Sequence, residues 1–491
     1  MFAHLIRPGV LVGTALSILT FGCADDRRPF APMGGSPSVS ADGADTRPAG
    51  PFARGGRSDE IRAVALPADP QLADYLACAA LNSPELASAY AAAQAARYRA
   101  AAAGVPPDPK ISYAAYIREV ETRVGPQRHR LGVAQTIPYP PKLSDQRAAA
   151  GADADAAFAR YHGRKLAIFA RVAKAYAEYY YLGRALAAAE ENLRLLEHFE
   201  SVARQAYAAA GVPQTQVLRL EVERGRLSDR VQTLGARREP AAAALRAAVG
   251  LIDQRPLPLP QAIPPGPGEV DDPRLIAWAE SANPELRALA AEVEAAEHRV
   301  SHATRQYIPD ATVGLTWIQT GRAVGASPPF DNGKDPLIAS VSIHVPIWWN
   351  RIRADIRAAR QKRQELGQRR QQHRADLSAA VQDAAFALRD AGRRVQLYTD
   401  LLVPRAQKAV QITLQSYSAR EAGFSDLIDA ERVLLEFRLS AERARADRLI
   451  AAAELERLIG RPLLAAGPSP ATRPAGGEDG DPVEPAAASS R

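Results

Sequence analysis

Asp426 and Asp429 stand three apart in "FSDLIDAE", a spacing that puts both carboxylates on one face of a helix. Two readings follow. At a helix start, acids are favoured by the helix dipole and do no more than that. Facing a confined aqueous passage, the same pair would attract cations. Glu431, just beyond, is expected to point elsewhere. The rest of the chain offers little chemistry. The eight histidines read as scattered and predict no metal site. No phosphate-binding glycine loop and no nucleophile elbow occurs. Cys23 and Cys78 are the only cysteines, too few for a disulfide framework. These residues predict neither an enzyme nor a cofactor.

The net charge of +7 points weakly toward an anionic partner. In "RGRLSDRVQTLGARREP" (224–240), however, arginine alternates with acids, as on a solvated helix face, and no nucleic-acid partner is expected. Residues 1–22 combine Arg7 with a short apolar run and read as a signal peptide. Gly22-Cys23 resembles a bacterial lipoprotein processing site, so Cys23 is expected to carry lipid; signal cleavage beside an incidental cysteine is the alternative. Residues 23–66 and 464–491, rich in Pro, Gly and small residues, read as a flexible tether and a disordered tail.

Between them the chain repeats itself. "NSPEL" (82–86) returns as "NPEL" (283–286), "PPDPKISY" (106–113) as "IPDATVGL" (308–315), and "AQTIPYP" (134–140) as "SIHVPIW" (342–348). "AYAAAGVPQTQVLRLEVE" (206–223) returns as "SYSAREAGFSDLIDAERV" (416–433). The order is kept, which divides the chain into repeats at 67–262 and 263–463. Each begins with a helix after Asn-Pro-Glu-Leu. Two alternating runs follow, Ile111–Glu121 and Arg130–Pro138 in the first, Ala311–Thr320 and Leu337–Pro346 in the second. Their length suits tilted membrane-spanning strands. Pro138, Pro140 and Pro141, and Pro346 in the second repeat, mark strand-to-helix corners. From Lys142 no proline recurs until Pro213, which predicts a very long helix. Its counterpart is expected to run to about Tyr417 with a bend at Pro404, and return helices to end near Val249 and Ile459. Four strands of spanning length leave unpaired edges unless several chains close one barrel.

This duplicated order, with "NPEL", "QTIPYPPKL", "LVPRAQKAVQITLQSY" and "FSDLIDAERVLLE", resembles the TolC family of bacterial outer-membrane efflux proteins over roughly residues 70–463. "QTIPYPPKL" is similar to its metal-efflux branch. The resemblance implies a mainly α fold with a membrane β-barrel. It implies a homotrimer with a 12-stranded barrel in outer-membrane lipid, and an α-helical tunnel in the periplasm. A periplasmic adaptor and an inner-membrane pump would dock below, and small molecules or metal ions would pass. It implies an acidic constriction at Asp426 and Asp429, and adaptor-facing tips at Gly211, Val212, Gly423, Phe424 and Ser425. It makes Trp348 and Trp349 candidates for an interfacial aromatic belt, with plain packing as the other reading. Two alternatives stay open: a periplasmic coiled-coil adaptor without a pore, and the exit duct of a type I protein secretion system.

Overall fold

The structure is a computed structural model that describes residues 66–67, 69–208, 213–251, 256–268, 271–324, 329–419 and 422–463. The signal peptide, Cys23, nearly all of the tether, Gly211, Val212 and the tail 464–491 lie outside the described residues.

The first repeat folds as α1 (Leu72–Asn82), α2 (Pro84–Ala102), β1 (Lys110–Val120), β2 (Gln127–Ile137), α3 (Pro140–Ala208) and α4 (Gln214–Val249). The second folds in the same order: α5 (Asp272–Ala282), α6 (Pro284–Arg305), β3 (Asp310–Thr320), β4 (Leu337–His344), α7 (Trp349–Gln396), a π-helical turn (Leu397–Leu402), α8 (Val403–Ser418) and α9 (Phe424–Ile459). The short helices α1 and α5 are additions to the expected layout. Both pairs are punctuated by the repeated motif. Ser83 accepts a hydrogen bond from the Leu86 amide, and Asn283 accepts from those of Glu285 and Leu286, with Pro84 and Pro284 in the first turn.

The strands deviate from expectation at their ends. β2 begins at Gln127, three residues before Arg130, because Gln127 pairs with both Val120 and Thr320. β4 stops at His344, short of Pro346, which has no amide to give a ladder and draws Val345 out of register.

The 69-residue α3 spans roughly 100 Å at 1.5 Å per residue. It starts at Pro140, not Lys142, since proline fits the first turn of a helix, where no amide donor is used. It packs against α2, α4, α6 and α9. Pro404 does not simply bend its counterpart. The chain widens into the π turn immediately before it, which re-spaces the carbonyls that an interior proline would strike. Pro240 lies inside α4 without ending it.

The return helices close on the repeat starts in the same way. Gly250 and Gly460 end α4 and α9 with φ of 81° and 72°. A Cβ on Gly250 would lie 2.8 Å from the Asn82 carbonyl, and one on Gly460 would meet that of Ala282. Conformation and close approach both demand glycine there. The cores gather along α3 and α9. One cluster holds Tyr75, Tyr176, Leu245 and Leu449, a second Leu196, Leu220, Phe424 and Leu427, and a third Leu275, Val381 and Leu455. Hydroxyls of Tyr176 and Tyr179 donate to the carbonyls of Ala262 and Leu257, pinning the connection between repeats onto α3.

Candidate functional site

Three places carry the functional geometry: the sheet, the corner below it, and the far end of the long helices.

The sheet has the order β1-β2-β3-β4, antiparallel throughout. Residues opposite one another across a ladder share a face. The register therefore puts Tyr113, Leu131, Trp317 and Leu337 in one row, and Ile111, Val133, Leu315 and Ala339 in the next. Val313, Val341 and Ile343 continue this face. Its large side chains are exposed, Ile117 fully so at 100% and Val341 at 71%. The opposite face carries Ser112, Gly132, Thr316, Thr136, Thr312, Ser340 and Ser342, interrupted by Ile318 and Ile338. There the hydroxyls of Thr136 and Thr312 meet at 3.0 Å. One apolar exposed face, one polar face, and outer edges of β1 and β4 unpaired among the described residues make a piece of wall. No helix of the described residues is long and apolar enough to cross a membrane.

At the corner, Pro138 separates β2 from α3, Pro140 and Pro141 open α3, and Pro346 separates β4 from α7. The joint is locked by Lys142, only 4% exposed. Its Nζ donates to the Ile308 carbonyl at 2.7 Å and to Asp310 Oδ1 at 2.9 Å, while the Tyr139 amide donates to the same oxygen at 3.0 Å. His302 Nδ1 lies 3.1 Å from the Lys142 carbonyl, and Arg305 pairs with buried Asp145. The second-repeat corner has Trp348 and Trp349 exposed.

The histidines need a correction. His298 and His302 lie four apart on α6, a spacing used by metal ligands. The His302 ring, however, is engaged by Lys142, Gln146 and Gln306. No cluster of three potential ligands occurs among the described residues.

At the far end, Gly423 caps α9. Asp426 Oδ2 accepts the Gly423 amide at 3.0 Å, so this carboxylate reaches back to satisfy the backbone at the start of α9. Asp429 is exposed and pairs with Arg432 at 3.0 Å. Gly423 is exposed and Ser425 half-buried, but Phe424 is buried. Expected to face a partner, it is 3% exposed and packs edge-on to Phe199 and Tyr417, with ring centroids 5.8 and 5.3 Å away. Burying the ring at the first position of α9 ties that helix to α3 and α8.

Glu431, expected to point away from Asp426 and Asp429, is turned inward. It is 6% exposed, and Asn192 of α3 donates to its Oε2 at 3.3 Å. It lines a 240 Å³ cleft with Leu196, Leu227, Ile428 and Leu435. Burial pushes its carboxyl above the usual range, against the opposing pull of Arg438 and of the Asn192 bond. A signal was present: Phe424, Leu427, Ile428, Glu431 and Leu435 follow the 3-4 spacing of a buried stripe, which puts a carboxylate inside it.

A two-faced sheet is thus joined by a tightly bonded corner to helices many turns long. Residues 275–461 match the outer membrane efflux protein family. That match spans the second repeat, and the first repeat has the same order of elements. No curated protein sequence matches the chain. Among solved structures it is similar to the outer membrane protein VceC from Vibrio cholerae, at 20% identity and a TM-score of 0.66, over 80% of this chain and 97% of that one. It is similar to the MtrE outer membrane channel of Neisseria gonorrhoeae, at 19% identity and 0.65, over 83% and 94%. For CusC the values are 15% and 0.67, over 80% and 93%. These likenesses establish the fold.

Proposed function

We propose that the protein is the exit duct of a tripartite efflux system. Three copies would close their four-stranded sheets into one 12-stranded barrel in the outer membrane and their helices into a periplasmic tunnel. The observation that carries this is the sheet itself. Its exposed face is largely apolar on all four strands and its outer edges are unpaired among the described residues, an arrangement that lipid tolerates only when the sheet closes. Passage through such a duct is passive. A periplasmic adaptor would meet the tip around Gly423 and Ser425, and an inner-membrane pump would drive small molecules or metal ions. Asp429, exposed beside the capping Asp426, would repeat three times around the narrow end and favour cations there. Lipid on Cys23 would add an anchor to the barrel's own attachment.

Planar-bilayer recording from the detergent-extracted protein tests the duct. The expected result is a discrete conductance carried by an oligomer. A monomer with a complete pore, or an oligomer that never conducts, would refute it. For the anchor, Cys23→Ser should abolish incorporation of labelled fatty acid and leave the conductance in place.

A further inference from the structure

The seam between α3 and α6 supplies a template for a seam the single chain cannot show. Within the chain, α3 turns a stripe of buried residues, Asp145, Ala149, Ala152 and Ala156, toward its neighbours. α6 meets it with Pro284, Ala288 and Ala295, all buried. Acid–base contacts hold the two together, Arg160–Glu292 at 2.8 Å with Asp145–Arg305 and Asp153–Arg299, and Lys142–Asp310 at 2.9 Å continues the row to the start of β3.

The repeat carries each position to the outer edges of the chain. Corner Pro138 corresponds to Pro346, so Asp145, Ala149, Ala152 and Ala156 correspond to Arg353, Arg357, Arg360 and Gln364 on α7. All four are exposed. Arg353 donates to Asn350, and Arg357 and Arg360 have no ionic partner among the described residues. On the other edge, the motif Asn-Pro-Glu-Leu makes Pro84, Ser88 and Ala95 of α2 the counterparts of Pro284, Ala288 and Ala295. Pro84 and Ser88 are exposed, and Ala95 is half-buried. The α7 stripe and the α2 stripe are thus the two halves of an α3–α6-type seam, facing outward at opposite ends of one chain. Such halves join head to tail, the heterologous contact that closes rings.

Charge does not follow the template. Lys142 becomes Asn350, Asp145 becomes Arg353, Asp153 becomes Gln361 and Arg160 becomes Gln368. On the facing side the Asn-Pro-Glu-Leu alignment turns Glu292 into Ala92 and Arg299 into Arg99, and the Pro-Asp alignment turns Arg305 into Ala103 and keeps Asp310 as Asp108. The only acid within α2, Glu85, is already held by Arg164 and Arg171. Helix α7 as a whole carries twelve Arg and Lys against five Asp and Glu, an excess equal to the +7 of the entire chain.

We propose that α7 seats on α2 of a second copy in a seam that has lost all four of those acid–base pairs, carries excess positive charge from Arg353, Arg357 and Arg360, and closes most firmly over anions. This rests on the oligomeric duct proposed above and names how its copies meet. Long arginine stems lying over Ser88 and Ala95 supply the apolar contact, and phosphate-type anions neutralise the guanidinium heads.

The test has two arms on the full chain in detergent. First, Gln364→Cys with Ala95→Cys should form a disulfide between copies under mild oxidation, and not within one. Second, the oligomer's dissociation by dilution is followed at about 1 and about 100 mM inorganic phosphate, against sodium chloride of equal ionic strength. Phosphate should hold the oligomer together more than chloride does. The Arg353→Gln/Arg357→Gln/Arg360→Gln variant should stay assembled at low salt and lose the phosphate response. An oligomer that forms without the cross-link, loosens as phosphate rises, or keeps its phosphate response in the triple variant overturns the seam alone. A chain that is monomeric under every condition overturns the duct as well.

Discussion

Lys142→Met tests whether the corner is held by its buried ion pair. The substitution keeps the aliphatic stem and removes the ammonium. It strands the Ile308 carbonyl and leaves Asp310 Oδ1 with the Tyr139 amide alone. Removing one partner of a buried pair costs about 3–5 kcal/mol. The Asp310 side chain is 31% exposed against 6% for Lys142, so water takes up part of the lost interaction. That places the expected cost at the lower end, about 2–3 kcal/mol. Asp310→Asn, which keeps an acceptor for Tyr139, should cost less. The double variant should recover at least about 1 kcal/mol relative to the sum, because neither charge is then left alone. Guanidinium unfolding in detergent, followed by circular dichroism with the slope unchanged, measures each value. A Lys142→Met cost below about 0.5 kcal/mol, or strict additivity in the double variant, would refute the argument that this pair locks strand to helix.

The carboxyl of Glu431 is raised in the fold, so the folded chain binds the extra proton. Its contribution to the α3–α9 contact is full below the ordinary glutamate value of 4.5 and is lost as pH climbs through the raised one. Hydrogen exchange across α9 should therefore quicken over that rise, and Glu431→Gln should flatten the profile; an unchanged profile would count against it. On the sheet, Val341→Arg should lower the yield of inserted protein by the equivalent of about 2–4 kcal/mol, while Ser340→Arg on the other face should cost far less. Equal losses would reverse the assignment of faces. At the tip, Asp429→Asn alone should weaken block by multivalent cations in single-channel recordings, since Asp426 is committed to its cap. Unchanged block would return Asp429 to a solvated surface acid.

The architecture was readable because it is written twice. Asn-Pro-Glu-Leu, the Pro-Asp break, paired alternating runs and proline corners each recur in order, and each has a local cause in capping, register or a missing amide. The ends of the return helices at Val249 and Ile459 were equally legible, because a glycine follows each. What escaped depends on contacts distant in sequence. Lys142 looked like the first residue of a helix, and only Asp310, far along the chain, makes it a lock. Phe424 looked like a tip residue until Phe199 and Tyr417 closed around it. Glu431 was expected to point away from Asp426 and Asp429, but only Asn192, on another helix, shows where it goes.

The π turn at Leu397–Leu402 works as a length adjustment between the two halves. From corner to tip the first repeat runs as one helix, Pro140 to Ala208, and the second from Trp349 to Ser418. Corresponding residues are 208 positions apart at the corner, Pro138 to Pro346, and 210 at the tip, Ala206 to Ser416. The second half must therefore stow surplus residues. In a plain α-helix two residues add about 3 Å. A wider turn with i to i+5 bonds takes up extra chain within a turn and rotates the downstream face to match. Two unequal strings of residues can then finish at one depth, as a partner gripping both ends at once would require.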